Sequence, residues 1–342
     1  MALIDRSTRD RTDIELLRAV GAFAVVCIHA SAPGVVAGPA GGWPYYATAL
    51  AIDSAATFAV PLFFAIAGWV LLVRRPIDTE TDLWQRVGRV LRPLLVWSLI
   101  YLVWPLTRER AAVAGVVLGV PVTIHMWFLY AYVPLVLVVG MITLSLRQRS
   151  PRRPWLLLAV AFAAMAPSML GLTETLVHAR VPAHSHLQIY LWVLFYAFAG
   201  ALLLSDRRSN ELSRAWGGTL FIVGVVGGVC WARWDGFAIP LAAGSLVAAT
   251  SCIGVLLLLR GVDLRGRARD LVRALGRASF GIYLAHVWVL TGLEWLVGRW
   301  TLFRTPTAHV VTLPIVILAT FGLSAILVLG WSRDPRMHRW LG

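Results

Sequence analysis

Several ingredients of a typical soluble protein are scarce in this 342-residue chain. Lysine is absent, so all 31 basic residues are arginines, and charged side chains make up only 14% of the sequence. Soluble domains contain about 25% charged residues, so this composition excludes an ordinary soluble domain. The three cysteines, Cys27, Cys230 and Cys252, lie in separate apolar stretches. Their spacing excludes a disulfide framework and a cysteine metal centre.

What the chain has instead is apolar length. Apolar side chains account for 59% of the residues, and the mean hydropathy is +0.75. Stretches that approach the roughly 20 residues needed to cross a hydrocarbon core occur at 14–32, 47–73, 90–107, 125–146, 155–173, 187–205, 216–233, 237–259, 278–298 and 309–332. We therefore expect an all-α, polytopic membrane helix bundle of about ten transmembrane helices. The connectors leave no room for an appended soluble domain, so we expect one membrane domain over residues 1–342, with 216–233 and 237–259 forming a helical hairpin.

The arginines between these stretches predict the orientation of the bundle. With the N-terminus in the cytoplasm, the connectors on the cytoplasmic side carry 24 of the 31 arginines and the outer connectors carry six, while Arg18 lies inside the first stretch. This excess matches the positive-inside rule and predicts that both termini are cytoplasmic. The net charge of +14 is then a signature of membrane topology, and no nucleic-acid partner is expected.

The first stretch partly imitates a secretory signal peptide. Ala30, Ser31 and Ala32 form a small-residue motif after an apolar run, which is typical of a cleavage site. Asp13 and Glu15 crowd the start of the run, however, and a signal peptide has a positively charged start. We expect a retained first membrane span.

This first span contains two groups that a bilayer should reject, Arg18 and His29, with ten residues between them. Eleven residues are about three helical turns, so the two side chains leave one helix face ~16 Å apart along its axis. Ionisable residues inside a span usually face the bundle interior or a water-filled cavity, and they indicate a functional site. The alternative is that Arg18 snorkels to lipid phosphate and His29 is a passive interfacial residue.

Estimated depth sorts the other polar residues into two layers. Arg86, Arg89 and Arg92 recur every three residues near the cytoplasmic side, an arrangement suited to binding several phosphates; ordinary topology-setting charge is the alternative. The outer layer contains His29, Asp53, His125, Glu174 and Glu294.

Histidine beside a carboxylate is the usual arrangement of a general base. Asp53 is the first candidate partner of His29, and a surface position or another partner for Asp53 is the alternative. His286 lies near mid-membrane, where either a donor-channel contact or a neutral structural histidine fits. His178, His184 and His186 share a predicted outer loop, but without supporting carboxylate or cysteine spacing they predict no metal site.

Five segments give the chain a family resemblance. Residues 13–29 (DIELLRAVGAFAVVCIH) resemble the opening span of the acyltransferase family 3 membrane proteins, whose hallmark is an arginine followed after ten residues by a histidine. Further segments resemble that family's patterns in the same order, at 59–72 (AVPLFFAIAGWVLL), 83–97 (LWQRVGRVLRPLLVW), 125–135 (HMWFLYAYVPL) and 279–290 (SFGIYLAHVWVL). The usual serine before Gly68 is Ala67, and Thr57 stands where many members have arginine, which weakens any transfer of substrate identity.

The resemblance implies a membrane-bound O-acyltransferase of the bacterial cytoplasmic (inner) membrane. The donor would be acetyl-CoA or another acyl-CoA, with no permanently bound cofactor, and the acceptor a hydroxyl of a cell-surface glycan, lipid-linked sugar or glycosylated metabolite. His29 would be the catalytic histidine, assisted by Arg18 and Asp53. Acyl-CoA would be bound by Arg18, Arg86, Arg89 and Arg92, and the substrate site lined by His125, Trp127, Tyr283 and His286.

The spacing suggests how such a reaction crosses a membrane. Cytoplasmic guanidinium groups would hold the CoA phosphates while the pantetheine arm threads along the first span and presents its thioester near His29. His29 would take the proton of the acceptor hydroxyl, a contribution of roughly 10²–10⁴-fold. A secondary transporter and a catalytically inactive membrane scaffold or sensor are the alternatives. Against a transporter, the sequence has no paired interrupted helices recurring in two halves.

Overall fold

The structure is a computed structural model that describes residues 11–103, 124–146, 185–205, 211–234, 245–297 and 306–342. Within these ranges the regular structure is entirely helical. The helices are α1 (Thr12–Ala37), α2 (Trp43–Ala56), α3 (Ala59–Trp69), α4 (Glu80–Val103), α5 (Trp127–Leu146), α6 (Ser185–Ser205), α7 (Glu211–Trp234), α8 (Leu246–Leu259), α9 (Gly266–Val297), α10 (Pro306–Trp331) and α11 (Pro335–Leu341). The prediction of an all-helical membrane protein is confirmed.

The helices lie on the predicted apolar stretches, but α4 and α9 begin well before them, at Glu80 instead of 90 and at Gly266 instead of 278. In the described part of the chain, five helical segments are long and apolar enough to cross a membrane: Thr12–Ala37, Trp43–Arg74, Trp127–Ser145, Glu211–Ala232 and His309–Trp331. The helices α4 and α9 start with charged turns, while α8 and the apolar part of α6, Trp192–Ser205, are shorter. The predicted span 155–173 and the first residues of 237–259 lie outside the described residues.

The predicted span 47–73 corresponds to one candidate membrane segment, Trp43–Arg74, that contains two helices. Here α2 and α3 are separated by Thr57 and Phe58, and a π-helical turn, Val70–Arg74, follows α3. The turn between α1 and α2 uses glycine, because Gly38 and Gly42 have φ angles of +63° and +108°, which side chains with a Cβ rarely adopt. This tight turn lets α2 pack directly back along α1.

Helix α1 lies at the centre of the described bundle and packs along α9 in the same direction. At one end of the pair Gly276 lies directly against the backbone of Glu15, and at the other end the rings of His29 and His286 are 5.0 Å apart. A methyl group on Gly276 would lie 2.5 Å from the Glu15 carbonyl oxygen. The two backbones therefore approach as closely as small residues allow, as is common between membrane helices.

Glycine also sets two other helix contacts. A methyl group on Gly68 of α3 would overlap the Ala197 carbonyl of α6, and one on Gly200 of α6 would overlap the Ala65 carbonyl of α3. Between α7 and α8, Gly217 faces Leu258 while Gly224 faces Ser251. Since residue numbers run in opposite directions across that contact, α7 and α8 are antiparallel, and the predicted helical hairpin is confirmed.

A buried ion pair fastens the start of α1. Arg11 donates from Nε and Nη2 to both carboxylate oxygens of Asp13, at 2.7 and 2.8 Å, and from Nη1 to the carbonyl oxygen of Leu204 at 3.1 Å. The amide of Gly261 donates to the same carboxylate at 2.8 Å. Because both charges are bonded on several sides, their desolvation is offset by charge-assisted hydrogen bonds. The pair joins α1 to the ends of α6 and α8.

The α3–α6 contact generates a stability prediction. We expect Gly68→Ala to destabilise the protein by roughly 1–3 kcal/mol or more, because the added methyl group overlaps backbone that cannot move aside. The apparent Tm of detergent-purified protein measures the effect. Gly322→Ala in α10 is the matched control, since nothing lies within 4 Å of a methyl group there. Equal melting temperatures for the two variants would contradict the contact.

Candidate functional site: a histidine cluster above an arginine-lined cavity

Three histidines from distant parts of the chain meet inside the bundle. His29 comes from α1, His125 from the one-turn 3-10 helix Ile124–Met126 ahead of α5, and His286 from α9. The ring-centroid distances are 5.0 Å for His29–His286, 5.5 Å for His125–His286 and 5.8 Å for His29–His125. We call these three residues the histidine cluster.

The members of the histidine cluster differ in accessibility. The exposed fraction is 2% for His125 and 0% for His286, whereas His29 is only half-buried. His29 is therefore the most accessible of the three imidazoles. His125 and His286 form its inner support.

The tautomer of His286 follows from its hydrogen bond. Nδ1 lies 2.6 Å from the carbonyl oxygen of Tyr283, and since a carbonyl oxygen only accepts, Nδ1 is the protonated nitrogen. Nε2 then carries a lone pair. This nitrogen is buried and has no hydrogen-bond partner among the described residues, so His286 presents an acceptor to the interior of the cluster.

Two tyrosines hold the cluster in place. The hydroxyl of Tyr283 donates a hydrogen bond to the backbone carbonyl of His125, which ties the 3-10 turn to α9. The hydroxyl of Tyr101 donates to the Leu284 carbonyl at 2.7 Å and accepts from the Trp288 amide at 3.1 Å. The Tyr101 ring lies 4.9 Å from that of His125. Buried tyrosines bonded in this way fix ring positions and limit repacking.

A cavity of about 310 Å³, which we call the donor cavity, adjoins the cluster. Arg18, Arg89 and Arg277 lie among its lining residues, together with the aromatic residues Phe63, Phe128, Tyr132, Phe280 and Tyr283. Tyr283 reaches both compartments, because its ring is also 6.0 Å from that of His286 and 6.1 Å from that of His125. The ring of Tyr283 therefore stands between the donor cavity and the histidine cluster, and the ring of Phe128 packs on it from the cavity side, 5.5 Å away. We call these two rings the wall.

Three helices around this cavity carry the same pair of features. Each of α1, α4 and α9 carries an arginine that lines the donor cavity and, further along, a ring in or beside the histidine cluster: Arg18 and His29, Arg89 and Tyr101, Arg277 and His286. The separations correspond to ~14–18 Å of helical rise. Since all three helices run in the same direction, they line up a cationic end and an imidazole end.

The arginines predicted for α4 have different surroundings. Arg89 lines the donor cavity. Arg86 donates to the carboxylate of Asp82 at 2.9 and 3.2 Å, one helical turn earlier. Arg92 is exposed, and neither Arg86 nor Arg92 is among the lining residues of the described cavities.

The remaining predicted site residues lie at the edges of this arrangement. Trp127 is half-buried, with its ring 6.0 Å from that of Trp192. Asp53 is 4% exposed on α2, but the ring contacts of His29 are with His125 and His286, and no hydrogen bond joins His29 to Asp53 in the described part of the chain. Glu174 lies outside the described residues.

Sequence reasoning missed one member of the site, Arg277, and misplaced another, His286, which it predicted to line the substrate site. It placed His286 at a different depth from His29, and it assigned no role to Arg277. A signal was present, because Arg277 precedes His286 by nine residues on one helix, much as Arg18 precedes His29. That spacing brings Arg277 and His286 into the site because α9 lies along α1. Among the described residues, no group of three or more histidine, cysteine, aspartate or glutamate side chains is arranged to hold a metal ion.

Comparisons with known proteins identify the family of the chain. A family model described as an acyltransferase domain, that of acyltransferase family 3, matches residues 11–329. No curated protein and no solved structure matches the chain. The matched range contains every residue of the histidine cluster and of the wall.

Proposed function

The chain belongs to acyltransferase family 3, and from this membership and the geometry of its site we propose that it transfers an acyl group, in the first instance acetyl, from acyl-CoA to a hydroxyl of a carbohydrate-type acceptor. The family supports acyl transfer to a hydroxyl-bearing acceptor. The donor, the acceptor class and the catalytic groups are our proposal. The observation that carries it is the donor cavity, which runs from three arginines to a wall directly beside the histidine cluster.

Acyl-CoA would enter with its charged end toward the arginines. Arg18 and Arg89 would bind the phosphate nearest the arm, and Arg86 and Arg92 lie about one turn before and one turn after Arg89 on α4. Guanidinium groups suit this task because they bind phosphate oxygens through two parallel hydrogen bonds. The aromatic and aliphatic lining beyond them suits an uncharged pantetheine arm, and the cavity volume is in the range of small-ligand sites.

His29 would act as the general base. Its imidazole accepts the proton of the acceptor hydroxyl while the hydroxyl oxygen attacks the thioester carbonyl carbon. The tetrahedral intermediate then collapses, the carbon–sulfur bond breaks, and the CoA thiolate takes the proton from the His29 imidazolium. Asp53, on the adjacent α2, would stabilise the imidazolium electrostatically without touching it, because charges interact strongly in a low-dielectric interior. His125, Trp127, Tyr283 and His286 would line the reacting groups.

The wall would close before and after transfer. A thioester exposed to water in an open channel would be lost by hydrolysis, and a closed active site suppresses such side reactions. In this scheme the acyl group passes Phe128 and Tyr283 only when acyl-CoA is bound.

We also propose the ten-span topology with cytoplasmic termini in a bacterial inner membrane. The parallel packing of α1 and α9 supports it, because two helices that cross in the same direction must be separated by an odd number of spans. Spans one and nine of the ten-span scheme meet this condition. The arginine-bearing ends of α1, α4 and α9 then face the cytoplasm, where acyl-CoA is made, and the histidine cluster is nearer the outer face.

His29 gives the central test. We expect His29→Gln to lower kcat by roughly 10²–10⁴-fold, because glutamine cannot take up the hydroxyl proton. Binding of acyl-CoA should change little, since His29 does not line the donor cavity. The measurement is transfer from radiolabelled acetyl-CoA by purified protein in nanodiscs, together with direct binding of the donor.

His338→Gln, the same chemical change on exposed α11, is the matched control. Full activity of His29→Gln would remove His29 as the base. Transport of an unmodified substrate would indicate a transporter. If the unaltered protein shows neither acyl transfer nor transport, a scaffold would be indicated.

The wall predicts a preference for short acyl groups. Beyond Phe128 and Tyr283 lie imidazoles and a tyrosine hydroxyl rather than apolar space, so a long chain has no favourable place. We expect Phe128→Ala to raise the kcat/KM ratio of hexanoyl-CoA to acetyl-CoA by roughly tenfold or more. Phe321→Ala is the control. It removes a ring that packs 5.3 Å from Phe23 and does not line the cavity, so the ratio should stay unchanged. An unchanged ratio in Phe128→Ala would disprove the role of the wall.

The topology can be tested with single cysteines. In a Cys230→Ser background, where Cys27 and Cys252 are buried, we expect Ala40→Cys to react with a membrane-impermeant maleimide in intact cells. Asp263→Cys should react only after permeabilisation. Both positions are exposed in the structure, so labelling of Asp263→Cys from outside would overturn the topology.

A further inference from the structure

A second cavity, with a volume of about 290 Å³, adjoins the donor cavity. It is lined by six arginines, with Glu15 as the single acidic lining residue. We call these arginines the basic basin: Arg11, Arg18, Arg74, Arg75, Arg273 and Arg277. They come from α1 and the residue before it, from the π-helical turn after α3 and the residue that follows it, and from α9.

We propose that the basic basin binds the phosphate groups of an adenosine 3′,5′-bisphosphate-type nucleotide, the charged end of the donor. This rests on the proposed function and assigns the nucleotide to a site separate from the arginines of α4. The basin would recognise the 3′-phosphate as well as the phosphates at the 5′ position.

The connection between the two cavities fits a ligand of two parts. Arg18, Val70 and Arg277 line both the basic basin and the donor cavity. The cavities therefore meet between two guanidinium groups that lie on the paired helices α1 and α9. A ligand with a polyanionic head and a narrow uncharged arm could place its head in the basin and its arm in the donor cavity.

The charge of the basic basin favours a ligand with several negative groups. Arg11 is bound to Asp13, and Arg18 is bound to Glu15 at 3.0 Å. The guanidiniums of Arg11 and Arg74 lie 4.9 and 5.7 Å from the centre of the Trp69 ring, so both lie on the side of the basin that Trp69 lines. Six cations around one partly buried cavity produce a strong positive potential, and a polyanion relieves their mutual repulsion.

The arginines of α4 do not form this site. Arg86 is bound to Asp82, and Arg89 lines the donor cavity but not the basin. The arrangement therefore gives the two arginine groups different tasks. The basic basin would hold the 3′- and 5′-phosphates of the nucleotide, whereas Arg89 would bind the phosphate next to the arm, at the donor cavity.

The test compares two nucleotides that lack the arm and the thioester. Binding of adenosine 3′,5′-bisphosphate and of adenosine 5′-monophosphate is measured by titration calorimetry, with the full chain in phosphatidylcholine nanodiscs. We expect the bisphosphate to bind about tenfold more tightly, the effect of one added charge-assisted contact. Arg273→Gln and Arg74→Gln should each weaken bisphosphate binding about tenfold and bring the two affinities closer together.

Arg267→Gln is the matched control, because it removes one charge from an exposed position of α9 outside both cavities. Equal affinities for the two nucleotides, or equal losses in Arg267→Gln and Arg273→Gln, would overturn the proposal. So would complete loss of nucleotide binding in nanodiscs with equal parts of phosphatidylcholine and phosphatidylglycerol, since a lipid phosphate would then be the occupant.

Acyl transfer by the unaltered protein separates this inference from the proposed function. Equal KM values for acetyl-CoA and acetyl-3′-dephospho-CoA would reject recognition of the 3′-phosphate and leave acyl transfer intact. Selective bisphosphate binding without any acyl transfer would support the basin and reject the proposed reaction.

Discussion

The parallel packing of α1 against α9 is the contact on which the rest of the site depends. Gly276 brings the two backbones together at the level of Glu15, and from there both helices rise to histidines whose rings are 5.0 Å apart. Because the helices run side by side in one direction, their arginines also share a level. A single close helix contact thus organises the cationic end and the imidazole end of the site.

Part of this arrangement could be predicted from the sequence. The apolar stretches gave the helices, and the spacing of Arg18 and His29 indicated one functional face of α1. Prediction of depth was less successful for His286, because depth was counted from the predicted start of the span at residue 278, whereas Gly276 already lies level with Glu15 inside the first predicted span. Helical rise gives positions along one helix but not which helices are neighbours. The contact among His29, His125 and His286 therefore cannot be predicted from it.

The sequence alone does not distinguish arginines that set the membrane topology from arginines that line a cavity. Arg74, Arg75, Arg273 and Arg277 were counted as topology-setting charges, since every cytoplasmic connector of this chain carries arginine. Only packing distinguishes those that line a cavity from those that do not. Arg86 is the opposite example, because Asp82 stands four residues before it and the pairing of residues at this spacing is a general property of helices.

The contact between α3 and α6 has a consequence for movement. Gly68 and Gly200 each lie against the opposite backbone, so neither helix can slide along the other without overlap. Phe64 of α3 and Trp192 of α6 pack on each other across this contact, and Phe64 also packs on Phe128. The two helices therefore form a fixed backing for Phe128, while Tyr283 is held from the other side by its hydrogen bond to the His125 carbonyl. A passage at this barrier would have to come from Phe128 and not from a shift of α3 against α6.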